Sequence, residues 1–137
     1  MSRRRKQLDK LVRLRTRVRD RAAAAHARDQ LSCSEAETDH HEAVSALADL
    51  PTGQLLAPHE LMRLTEVIAH HARSISAARA RRDKSRAHLY GHAMKLRSAE
   101  ELRTRQRASD AHDAARGEQK GNDELASQRH GAPSEEP

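Results

Sequence analysis

The chain has 137 residues, 36% of them apolar and 34% charged, with one Tyr (Tyr90) and no Trp or Phe. Large aromatic side chains, each burying roughly 150–250 Å², dominate compact cores, so this composition excludes an ordinary globular core. It also excludes the water-excluding cavity an enzyme needs. The net charge of +6 and the abundance of Ala, Arg, Leu and Glu fit long exposed helices and coiled coils.

The N-terminus is basic (Arg3, Arg4, Arg5, Lys6), but no apolar run of signal-peptide length follows. No stretch approaches the 18 or so consecutive apolar residues of a membrane-spanning helix. From Ser2 to Asp49 there is neither Pro nor Gly, and a first helix is expected over about 3–49. Leu8, Leu11, Val18, Ala22, Ala25, Cys33, Ala36, His40, Val44 and Leu47 share one side of it, with a period nearer 3.6 than 3.5. Arg13 to Arg21 alternates as a strand would, yet its length and its alanine-rich continuation favour helix. Cys33 has no cysteine partner, which fits a reducing compartment. It reads as a small buried helix residue with nothing basic beside it to activate the thiol.

The strong break is Leu50-Pro51-Thr52-Gly53, followed by Ala57-Pro58. Pro51 lacks an N–H and clashes with a preceding helical turn, and Gly53 suits a turn with positive φ. A turn is expected over about 50–57, with Leu55 and Leu56 packed over the end of a hairpin. Pro58 fits the first turn of a new helix, and Glu60 places an acid at its N-terminus.

The second helix is expected over about 58–128. Alternate steps of three and four give a heptad seam of Leu61, Leu64, Ile68, Ile75, Ala78, Leu89, Leu96 and Ala99, interrupted by His71, Arg82, Ser85 and His92. Residues 131–137, with Gly, two Pro and two Glu, read as a disordered tail.

A short loop makes the two helices antiparallel neighbours. The expected fold is therefore all-α: two long helices in an antiparallel coiled-coil hairpin over 1–130, the C-terminal helix the longer. With the turn centred on Gly53, Val44 falls near Arg63, Ala36 near His71 and Ser2 opposite roughly Arg105. A 48-residue helix spans about 72 Å, so a rod is expected.

The charges are banded. Residues 1–32 hold 11 basic and 3 acidic side chains, residues 33–60 none and 6, residues 61–107 12 and 4, and residues 108–137 3 and 7. Basic helices attract phosphate, but there is no DNA-binding module and no set of stacking aromatics, so specific nucleic-acid binding is not expected. Among the ten histidines, His88 and His92 have a zinc-compatible spacing without the Glu of the metalloprotease motif. His40 and His71 are expected to approach across the hairpin. All are read as seam or surface residues: no catalytic residue, no metal ligand and no cofactor is expected. From the residues alone the chain binds other proteins.

Two segments narrow this. Leu8-Asp9-Lys10-Leu11-Val12-Arg13-Leu14-Arg15 is a basic amphipathic opening before an alanine-rich helix, and Glu118-Gln119-Lys120 with Asp123-Glu124-Leu125 lies near the C-terminus. With the central break, they resemble the FliJ/YscO family of bacterial flagellar and type III export systems, whose C-terminal helix carries a run similar to Glu-Gln-Lys-x-x-Asp-Glu-Leu. The resemblance covers nearly the whole chain as architecture and about 20 residues as motif. Gly117 and Gly121 depart from the family's strong helix formers. Each costs about 1 kcal/mol relative to Ala, and they are the weak points of the second helix.

The resemblance implies a coiled-coil stalk in the bacterial cytoplasm, peripheral to the inner membrane. Its partners would be the hexameric export ATPase, the cytoplasmic domain of the export gate and export chaperones. Lys10, Arg13, Arg17, Glu118, Gln119, Lys120, Asp123, Glu124 and Leu125 would face the ATPase. The rival readings are a generic coiled-coil adaptor or structural protein, and a basic helical nucleic-acid-binding protein.

Overall fold

The computed structural model describes residues 2–50 and 56–131. They form two helices, α1 (Arg3–Ala48) and α2 (Pro58–His130), of 46 and 73 residues. There is no strand among the described residues, and α1 and α2 pair as an antiparallel helical hairpin. Pro51, Gly53 and Leu55 lie outside the described residues, as does the expected tail beyond Gly131; Leu56 is half-buried.

The helix ends follow from local chemistry. Ser2 caps α1: its Oγ accepts from the Arg5 N–H at 3.2 Å and its carbonyl from the Lys6 N–H at 3.3 Å. At the other end the Asp49 N–H still reaches the Ser45 carbonyl (2.9 Å), two residues before Pro51 would forbid continuation. Pro58 opens α2 as expected, with the Ala57 carbonyl accepting from Glu60 and Leu61 (2.9 and 3.1 Å). α2 runs unbroken through Gly117 and Gly121.

The contacts divide the chain into two compact units, one of Arg15–Leu96 and one of Met1–Leu14 with Arg97–Pro137. In the unit that carries the loop, the core is Cys33 and Ala78 (2% exposed each), Leu96 (5%) and Ile75 (8%). Leu64, Ile68, His71, Ile75, Ala78, Arg82, Ser85, Leu89, His92 and Leu96 of α2 are all buried or half-buried here, which is the expected heptad seam without Leu61. On α1 the least exposed positions at the same three-and-four spacing are Arg15, Arg19, Ala22, His26, Asp29, Cys33, Ala36, His40, Ala43 and Leu47. The expected stripe is buried or half-buried at every member but Val44, and the heptad count adds the charged Arg15, Arg19 and Asp29 to the covered side. Val18 is half-buried on the flank, and Val44, expected in the seam, is 41% exposed.

The register is also corrected. Glu37 pairs with Arg79, Cys33 with Arg82 and His26 with Ser85, so Ala36 lies level with the turn around Ala78, not with His71. Val44 is likewise displaced from Arg63. At this register the first two turns of α2 run past the end of α1. That is why Leu61 and Met62 stay 53% and 65% exposed.

In the unit of the two termini, Val12 (5%) and Ala99 (3%) form the core, flanked by half-buried Arg5, Leu8 and Leu11 on α1 and Arg103, Gln106 and Asp110 on α2. Asp9 pins the start of α1, its Oδ1 lying 3.6 Å from Arg107 and 4.0 Å from Arg103. Ser2 therefore falls beyond Arg105, nearer Asp110. Past Asp110 nothing covers α2 among the described residues: every position of 111–130 except Gly121 is exposed.

Candidate partner-binding surface

The exposed end of α2 carries the sequence-predicted motif. Glu118, Gln119, Lys120, Asp123 and Glu124 are exposed, and Leu125 is 58% exposed. A helix that is polar all round gains no packing from its own chain. Its order rests on its backbone hydrogen bonds. The Gln106 amide donates to the Asp110 carboxylate at 2.8 Å, the last side-chain bond before the bare segment.

Lys10 and Arg13 are exposed on α1 in the same unit, and Arg17, also exposed, belongs to the other unit. Lys10 and Arg13 are not brought beside the motif. Asp9 meets Arg107, so Glu118 lies about three helical turns further along α2.

One cluster escaped the sequence reading. Arg82 Nη1 approaches the buried Cys33 Sγ at 3.6 Å, and the Cys33 thiol points to Glu37 Oε1 at 3.7 Å. Glu37 in turn accepts from Arg79 Nε at 3.1 Å. The expectation that nothing basic stands near Cys33 is thereby overturned: the neighbour comes from the other helix, 49 residues away. Asp83 accepts from Arg82 Nε and Nη2 at 3.2 Å each and, with smaller help from the Cys33 and Glu37 fields, holds that guanidinium above its ordinary range. The signal that could have found the cluster is the three-and-four count carried through Asp29, Cys33 and Arg82 without regard to polarity.

The histidines divide in the same way. His26 Nδ1 donates to Ser85 Oγ (3.2 Å), because the Ser85 hydroxyl is spent on the Arg82 carbonyl (3.0 Å). The Cys33–Arg82 register, carried one heptad along, sets His40 level with Ile75, about one turn from His71. His88 and His92 line one open groove of about 320 Å³ with Val18, Arg21, Ala22, Ala25 and Ser85. Among the described residues no three His, Cys, Asp or Glu side chains converge as metal ligands. No described helix is long and apolar enough to cross a membrane.

The family model described as "Flagellar FliJ protein" matches residues 4–135. The chain belongs to the FliJ family. No curated protein and no solved structure matches it. Membership of the FliJ family makes it a flagellar, export-related helical protein, and the family-like run at 118–125 sits where α2 has left α1 behind.

Proposed function

We propose that this FliJ-family chain is a non-enzymatic stalk of a flagellar export apparatus in the bacterial cytoplasm. It acts by binding the hexameric export ATPase through the end that carries the start of α1 and the bare segment of α2. The observation that carries this reading is the bare helix itself. Residues 111–130 are helical yet uncovered, and they hold Glu118–Lys120 and Asp123–Leu125 in the open. A long polar helix with no partner in its own chain is a surface prepared for one in another. Docking on the export gate, and through it on the membrane, belongs to the same reading, as does delivery of chaperones.

The test is a pull-down and ATPase assay with the cognate export ATPase, using the full chain and a chain ending at Ser109. The full chain should bind and stimulate hydrolysis, and the shortened chain should lose both. Absence of binding by the full chain would leave a generic coiled-coil adaptor. DNA binding that disappears steeply with salt, without sequence preference, would be electrostatic only.

A further inference from the structure

α1 carries a second periodic stripe, on the side turned away from α2. Arg17, Ala24, Leu31, Thr38 and Ser45 repeat every seven residues, and Arg21, Arg28, Glu35 and Glu42 form the adjoining row. All of these but Ser45 are exposed, Leu31 at 61%. None of the five charges of the stripe is ion-paired among the described residues. The order of signs is antisymmetric about Leu31: Arg28 and Arg21 stand three and ten residues before it, Glu35 and Glu42 four and eleven after.

A surface with that order is complementary to itself when turned end for end. We propose that it is the interface of a two-fold dimer in which the α1 helices of two copies pack antiparallel, with the axis at Leu31. Arg28 then meets the second copy's Glu35, and Arg21 its Glu42. Each pair occurs twice, as an isologous contact requires. Leu31 meets its own counterpart at the axis, and Ala24 faces Thr38 with room for the backbones to approach.

The one intruding charge beside the row, Asp20, is held by Arg19 at 2.7 Å on its own helix. A parallel arrangement would set Arg on Arg and Glu on Glu, so the charge order selects the antiparallel one. With a single Leu at the centre and exposed ion pairs around it, the contact is weak and salt-sensitive.

Sedimentation velocity of the full chain at about 0.05 M salt should show a concentration-dependent monomer–dimer equilibrium that shifts to monomer at about 0.5 M. Glu35→Arg should weaken association by about tenfold or more, since it sets like charges together. The double variant Arg28→Glu with Glu35→Arg should restore it, with helix content by circular dichroism unchanged throughout. Under mild oxidation Leu31→Cys should form a homodimeric disulfide readily, and Tyr90→Cys, at a position 69% exposed on α2, should not. A chain that stays monomeric at low salt overturns the proposal and leaves the stripe to a foreign helix of the same charge order. A dimer indifferent to Glu35→Arg, or cross-linked equally from Tyr90→Cys, overturns it too. No export component enters the experiment, so its outcome is separate from that of the ATPase test.

Discussion

α2 is one continuous helix with two different reasons for being helical. Around Ile75, Ala78 and Leu96 it is held by α1, and those side chains are almost fully covered. From residue 111 to residue 130 it is held only by itself. The first stretch tolerates Arg82 in its seam because the guanidinium is ion-paired with Asp83 and its side chain stays 34% exposed. The second holds its shape through propensity and spacing, where single glycines count for more. Packing supplies most helix stability in proteins, and isolated segments are marginal, so the two stretches should answer differently to the same kind of perturbation.

The largest effect should come from the covered stretch. Ile75→Ala should destabilise the hairpin by about 2–3 kcal/mol, at the low end for buried aliphatics because a two-helix seam collapses easily around the gap. Urea unfolding followed by circular dichroism at 222 nm measures it, and Leu125→Ala in the bare stretch should leave the midpoint unmoved. The next effect sharpens the contrast from the other side. Added methyl groups at Gly117 and Gly121 would meet nothing within 4 Å, so replacing both with Ala should stabilise the bare helix by about 1 kcal/mol each. Helicity should rise and amide exchange over 111–130 should slow, while exchange around Ile75 stays as it was.

A smaller effect is expected where α1 begins. Asp9→Ala removes the anchor to Arg103 and Arg107 and should cost about 0.5–1 kcal/mol, because Asp9 is less exposed than an ordinary surface acid. Hydrogen exchange over residues 3–14 reads it. The smallest belongs to Glu37 and Arg79, whose side chains are 43% and 56% exposed. Glu37→Ala should cost no more than about 0.5 kcal/mol and should lose even that at high salt.

How much of this was legible in the sequence differs between the helices. The α2 seam could be counted directly, because Leu64, Ile68, Ile75, Leu89 and Leu96 mark it and its polar members fall between them. The α1 seam was legible only in part, because Arg15, Arg19, His26 and Asp29 occupy positions where a hydrophobic pattern expects Leu. The eye then moves to Val44, which is exposed. Both helix starts could be read, Pro58 from its ring and the α1 start from the absence of breakers, but the stagger could not. It depends on how far α2 runs past α1, and a nine-residue connection permits several answers. At the candidate surface, exposure was readable from polarity. The three to four turns separating Lys10 and Arg13 from Glu118 were not, because they follow from the stagger.

The bare segment of α2 also has a mechanical meaning. Two helices locked side by side resist bending together, because one must stretch where the other compresses, and a lone helix has no such opponent. Compliance in this chain therefore gathers past Asp110. A load applied to the last turns near His130 therefore bends those twenty residues far more than the stretch of the same unit where Val12 and Ala99 are buried between α1 and α2.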